Sequence, residues 1–374
     1  MKVLLFSNTE WFMYNFNRSL AIALRELGHE VVLVTPPGPY VEKLRELGFR
    51  WIAAPMQRRS LNLFKELALL LWLTRLFILE RVTLVHSFTI KCAIYGSLAA
   101  RLARVPARVN AVTGMGYVFT NNDLKARLLR PLVRGLMKLA LDGRDARLIL
   151  LNRDDLAFFK QSKLIDPNLI RMLPGAGIDC RRFTPAVSPR HNGRFRVVLP
   201  ARMLWDKGVA EYVDAARMLR AEGRDIEFLL AGAPDPGNPV AVPEQTIHGW
   251  VKEGVVSWLG HVDDMPSLFR SVDVVVLPSY REGLPTGLTE AGACALPLVT
   301  TDVPGCREVV THDVDGLLLP MKDARALADA LARLHNDPAL CRRLGTAARK
   351  KALAEFDGRI VNERTLAIYG ELTR

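Results

Sequence analysis

Arg202 and Lys207 stand five residues apart in Ala201-Arg202-Met203-Leu204-Trp205-Asp206-Lys207-Gly208, after a strand-like run and before a helix-like one. Two cations in a loop that opens a helix suit a diphosphate, stabilised by fixed charge and by free N–H groups together. Taken alone, such a pair reads equally well as solvated surface charge. Further along comes Ser279-Tyr280-Arg281-Glu282-Gly283-Leu284-Pro285-Thr286-Gly287-Leu288-Thr289-Glu290. A strand-like run, Asp273–Leu277, ends just before it, and Pro285 or Thr286 opens a helix. Glu282 then falls in the loop and Glu290 in the first turns of the helix. Carboxylates grip sugar hydroxyls because each accepts several hydrogen bonds in fixed geometry. The backbone of Gly283, Leu284, Pro285 and Thr286, at the helix start, suits a phosphate or a sugar oxygen. On spacing alone, two Glu eight residues apart are ordinary surface charge.

Other residues invite chemistry less strongly. His86 ends a strand-like run and reads on pattern as a satisfied core histidine; Gly114 and Gly116 fit a tight turn. Asp313-Val314-Asp315 imitates a metal-binding pair of aspartates but runs into Gly316 in a turn, so no metal is expected. No G-x-x-x-x-G-K, H-E-x-x-H or G-x-S-x-G motif occurs, which leaves ATPase, zincin and serine hydrolase readings without support. The 5 cysteines, an odd number without CxxC spacing, argue for a reducing compartment rather than a disulfide framework.

The elements that would position these residues repeat in two halves. Strand-like runs at Lys2–Ser7, Glu30–Thr35, Leu84–His86, Arg108–Thr113 and Arg147–Leu151 alternate with helix-like segments at Asn17–Leu27, Tyr40–Leu47, Asn62–Leu79 and Lys91–Arg104. Around Phe183–Gly193 the texture turns to that of a linker. The alternation restarts with Arg196–Pro200, Ile226–Ala231, Val255–Gly260, Asp273–Leu277 and Leu298–Thr301 as strands. At 374 residues the chain is too long for one ordinary domain. Two doubly wound α/β domains result, with ligands expected at the carboxyl ends of the strands and in the cleft between domains. The domains are set at 1–184 and 185–355, with a helix over 356–374 that could pack back on the first.

Charge divides the halves. The formal net charge is +12; residues 1–180 carry 26 Lys/Arg against 14 Asp/Glu, and residues 181–374 carry 25 of each. The first half therefore faces an anionic partner. Arg127, Arg130, Arg134 and Lys138 recur at helical spacing in a Leu-rich segment with Pro131 as its bend or start, and Leu61–Leu79 is apolar nearly all round. Both fit a protein resting on an anionic leaflet without crossing it. Nucleic acid is not the expected partner, because the basic stretches lack interleaved aromatics or a reader motif.

As an ordered set, Arg202, Lys207, Glu282 and Glu290 resemble the signature of the retaining nucleotide-sugar glycosyltransferases of the GT-B fold, family 4. Pro174-Gly175-Ala176-Gly177-Ile178-Asp179, Leu259-Gly260-His261-Val262-Asp263 and Asp315-Gly316-Leu317-Leu318 resemble further stretches of that family. The resemblance implies two Rossmann-like domains facing a central cleft. It implies that Arg202 and Lys207 neutralise the donor diphosphate, Glu282 binds donor-sugar hydroxyls, Glu290 the ribose, and Gly260, His261 and Val262 lie near the base. Leu84–Lys91, Val112–Phe119 and Asn152–Asp155 are similar to the capsule, O-antigen and protein-glycosylation branch. That branch implies an acceptor carried on undecaprenyl diphosphate, with His86, Gly114, Gly116 and Tyr117 on the acceptor side. Two departures stand out: Thr113-Gly114 where many members carry a His, and Asn8-Thr9-Glu10-Trp11 where the usual Gly-Gly loop would follow the first strand.

The expected activity is transfer of a hexosamine, GalNAc or GlcNAc, from a UDP-sugar to a polyprenyl-diphosphate-linked glycan. No further cofactor is expected. The place is the cytoplasmic side, peripheral on the inner leaflet of a bacterial plasma membrane. The alternatives are a nucleotide-sugar epimerase of the same two-domain build and a non-catalytic partner that keeps the fold.

Overall fold

The computed structural model describes residues 1–57, 60, 62–112, 124–187 and 193–373. It divides into two compact units, Met1–Gly177 with Gly358–Arg374, and Ile178–Asp357.

The first unit is built on a parallel sheet of β1 (Lys2–Phe6), β2 (Glu30–Thr35), β3 (Arg50–Ala53), β4 (Leu84–Phe88), β5 (Ala107–Val112), β6 (Ala146–Leu150) and β7 (Ile170–Met172), in the order β3-β2-β1-β4-β5-β6-β7. Runs such as Val31-Val32-Leu33-Val34 are buried throughout, as strands covered on both faces must be. Helix Leu63–Leu79 packs against Ile90–Leu102, which also packs against Leu124–Leu141. Asn62 starts the first of these by accepting the Phe64 and Lys65 N–H groups on Oδ1. The basic helix begins at Leu124, so Pro131 lies inside it rather than at its start.

The last helix, Gly358–Gly370, is part of this unit. It packs on Arg18–Glu26, and Glu371 beyond it pairs with Arg147 at 2.7 Å and with Arg171 at 2.6 Å. The two guanidiniums hold the Glu371 carboxyl down at about 2. Gly177, with φ +76°, lets the chain return: a Cβ there would sit 2.5 Å from the Gly358 Cα.

The second unit carries β8 (Phe195–Pro200), β9 (Ile226–Ala231), β10 (Ser257–Trp258), β11 (Val274–Leu277), β12 (Leu298–Thr301) and β13 (Gly316–Leu319), in the order β10-β9-β8-β11-β12-β13. The expected strand over Val255–Gly260 shortens to two residues, because Gly260 at φ +66° turns the chain out of the sheet. The boundary at Gly177/Ile178 precedes the expected 184/185. Its cause is the apolar alternation Ile178, Cys180, Phe183, all buried in the second unit's core, where the Phe183 ring lies 6.1 Å from that of Phe269. Phe356 is buried in the same core, so the chain leaves this unit at Asp357.

Candidate functional site

In the second sheet the strand order reverses between β8 and β11, which pair directly through Val274–Val197. At such a switch point the loops at the carboxyl ends diverge and leave a crevice for ligand. Arg202 and Lys207 follow β8, and Glu282 follows β11, so the strand order alone gathers them there.

The two loops approach closely. Gly208 has φ +71°, and a Cβ on it would lie 2.1 Å from the Pro278 carbonyl oxygen, so only glycine lets them meet. Across this contact Lys207 Nζ donates to Glu282 Oε1 at 2.6 Å, both side chains being largely buried (15% and 14% exposed). Ser279 Oγ donates to the same oxygen at 2.7 Å, while the Glu282 N–H donates to the Pro304 carbonyl at 3.1 Å. Thr301 Oγ1 donates to the Ser279 carbonyl and fixes the loop from β12. Arg202 is half exposed; its Nη1 donates to Asp235 Oδ2 at 2.7 Å, and Asn238 Nδ2 donates to that oxygen at 3.0 Å. Each of the two cations is thus oriented by a carboxylate.

Glu290 lies in helix Thr286–Ala293 and is partly buried. Desolvation pushes its carboxyl up to about 8, with the Arg182 guanidinium pulling the other way. Its value in the unfolded chain is near 4.5, so folding favours the protonated form. The stability tied to it is complete below pH 4.5 and is lost as the pH rises towards 8. Glu290→Gln removes that titration. We expect the wild type to lose stability on the order of a few kcal/mol between pH 5 and 8 relative to Glu290→Gln, measured by urea unfolding. Parallel profiles would refute a desolvated carboxyl.

Helix Thr286–Ala293 has Pro285 at its N-cap and no side-chain cap, so Gly283, Leu284, Pro285 and Thr286 present an uncapped helix start. Gly260 forms the positive-φ turn after β10. Next to it the half-exposed His261 lies 3.3 Å from Asp263, and Val262 packs on the core. Asp313 and Asp315 are engaged in structure. Asp315 accepts the Thr311 N–H at 2.6 Å and lies 3.4 Å from Lys351, while Asp313 pairs with Arg333 at 2.8 Å.

On the first unit His86 is a core histidine, as its sequence pattern suggests. Strand alternation turns it to the sheet face covered by the last helix, where it is 2% exposed and its Nδ1 lies 2.7 Å from the Tyr369 hydroxyl. Burial pulls its imidazole down to about 3, so it is neutral in use as a core contact. Gly114, Gly116 and Tyr117 lie outside the described residues. Arg127, Arg134 and Lys138 are exposed along one helix, and Arg130 is half-buried. On helix Leu63–Leu79, Phe64 (86% exposed), Leu67, Leu71 and Ile78 face solvent. Among the described residues no helix is long and apolar enough to cross a membrane. Asp235, Ser279 and Arg182 were not singled out from sequence: Asp235 meets Arg202 and Arg182 acts on Glu290 from distant segments, whereas Ser279 serves Glu282 three residues on in the same loop.

Known proteins resemble this chain along its whole length. Residues 15–176 match the family described as glycosyl transferase 4-like domain, and residues 194–337 match glycosyl transferases group 1. The N,N'-diacetylbacillosaminyl-diphospho-undecaprenol α-1,3-N-acetylgalactosaminyltransferase of Campylobacter jejuni is 30% identical, with 100% of each chain covered. The UDP-Gal:α-D-GlcNAc-diphosphoundecaprenol α-1,3-galactosyltransferase of Escherichia coli is 27% identical over 81% of this chain and 79% of its own. Among solved structures, Anabaena Alr3699/HepE in complex with UDP and glucose superposes with a TM-score of 0.80 at 20% identity, over 99% of each chain.

Proposed function

Since the chain belongs to the group 1 glycosyltransferases, of GT-B fold, we propose that it transfers an N-acetylhexosamine, GalNAc or GlcNAc, from a UDP-sugar to a polyprenyl-diphosphate-linked glycan, with retention of configuration. The observation that carries this reading is the meeting of Lys207 with Glu282 at the switch point of the second sheet, the loop after β8 that holds Lys207 also carrying Arg202. Cleaving a sugar–phosphate bond builds negative charge on the leaving diphosphate, and fixed cations stabilise it as it develops. In this reading Arg202 and Lys207 supply that charge, and no metal is called on. Glu282, oriented through Oε1 by Lys207 and Ser279, receives donor-sugar hydroxyls, and no protein nucleophile is assigned. The departing phosphate takes the acceptor's proton on the same face. Glu290 meets the ribose, and Gly260, His261 and Val262 lie towards the base.

The acceptor's chemistry is read from the relatives: the Campylobacter and Escherichia enzymes are named for undecaprenol-diphosphate sugars. The basic first unit supports the same reading, since both the acceptor's diphosphate and an anionic leaflet attract it. We place the protein peripherally on the inner leaflet, with its exposed Phe64–Ile78 face and its Arg127–Lys138 stripe towards lipid and no nucleic acid as partner. An epimerase finds no support in this family membership.

Thermal unfolding with UDP, GDP, ADP and CMP side by side tests the donor class. At about 100 times its dissociation constant, UDP is expected to add roughly 2.7 kcal/mol, the others far less at equal concentration. An equal shift with GDP or ADP would remove UDP from the reading, and no shift with any of them would remove the donor site.

A further inference from the structure

One side chain braces the two loops that carry the donor groups. Tyr280 follows Ser279, whose hydroxyl holds Glu282. Its N–H donates to the Asp206 carbonyl at 2.8 Å, and its hydroxyl donates to Glu211 Oε1 at 2.7 Å. Asp206 is the neighbour of Lys207, and Glu211 stands in the first turn of helix Val209–Ala221, which begins directly after Lys207-Gly208. Lys322 Nζ caps the ring from a third loop, 4.8 Å from its centroid. Glu211 Oε2 is buried with no hydrogen-bond partner among the described residues. Tyr280 is therefore the donor on which that carboxylate depends. Burial, reinforced by Glu211, pushes the Tyr280 hydroxyl above its usual range, so it stays a donor.

Resting on the reading of Lys207 and Glu282 as donor-site groups, we propose that Tyr280, braced by Glu211, is a positioning residue that fixes the Glu282 loop against the Lys207 loop. It touches no reacting atom in this assignment. Its effect is to hold a two-point contact in register, and small misplacements of such contacts cost rate more than binding.

The test is steady-state sugar transfer, with UDP affinity by calorimetry and melting temperature as companions, for Tyr280→Phe, Glu211→Gln, Glu211→Ala and the Tyr280→Phe/Glu211→Ala double variant. Tyr280→Phe is expected to lower kcat about tenfold, with UDP Kd and donor KM moving less than threefold. Glu211→Gln keeps an oxygen for the phenol and is expected to stay within about twofold of wild type. Glu211→Ala is expected to match Tyr280→Phe, and the double variant to be no worse than either, because each removes the same bond. The proposal is overturned if Tyr280→Phe stays within twofold of wild type, if the single losses multiply, or if UDP affinity falls in step with kcat. Lys207→Ala, run in parallel, separates the two claims. An active Lys207→Ala refutes the donor-site reading itself, whereas an inactive one beside a fully active Tyr280→Phe refutes only the bracing.

Discussion

Lys207→Ala is expected to lower kcat for sugar transfer by about 10²–10³-fold, the range found when one preorganised donor to developing charge is removed. Two effects act in the same direction. The ammonium that would meet the leaving diphosphate disappears, and the largely buried Glu282 keeps only Ser279 on Oε1. An unpaired carboxylate then faces an incoming dianion, so donor KM should rise as well. Glu282→Ala is expected to lose turnover to a similar degree, since it removes the sugar-hydroxyl acceptor and leaves Lys207 unoriented. Arg202→Ala should cost less, because Arg202 is half exposed and already shares its charge with Asp235. Transfer by Lys207→Ala or Glu282→Ala within fivefold of wild type, in protein that melts normally, would sink the assignment.

Residues adjacent in sequence made this site legible; residues adjacent only in space did not. Arg202 and Lys207 sit in one loop and Glu282 and Glu290 in one loop-and-helix, so residue type and spacing suffice to nominate them. The strand alternation likewise announces two parallel sheets, because doubly covered strands are near-continuous runs of Val, Leu and Ile. What spacing leaves open is who orients whom. Asp235 reaches Arg202 from the loop after β9, Tyr280 meets Glu211 in the first turn of helix Val209–Ala221, and none of these pairings has a local signature. His86 marks the same limit from the other side. Its pattern already reads as a core histidine, but the partner that holds it, Tyr369 of helix Gly358–Gly370, comes from the far end of the chain and has no local signature. The domain boundary shifted for a related reason: Pro and Ser after Phe183 look like linker, while Ile178, Cys180 and Phe183 had already entered the second core.

Replacing Arg127, Arg134 and Lys138 together by Gln is expected to weaken binding to vesicles rich in anionic lipid by roughly 100-fold at low salt. Each basic residue near such a surface contributes about 1 kcal/mol, and three give about two decades in partition coefficient. Arg130 is left in place because it is half-buried and engaged within the fold, so its removal would mix stability with binding. At 1 M salt the screening length falls to about 3 Å, and wild type and variant should converge. The second surface obeys different physics. Phe64, Leu67 and Leu71 project from a helix that packs on the same neighbour, Ile90–Leu102, as the basic helix does. Their contribution is apolar burial, which salt does not screen. Phe64→Ser/Leu67→Ser/Leu71→Ser should therefore lose binding equally at low and high salt. Vesicle sedimentation across a salt series separates the two outcomes. A charge variant that binds as wild type at low salt would make the stripe a solvated face, and a serine variant that binds as wild type at 1 M salt would do the same for the apolar helix.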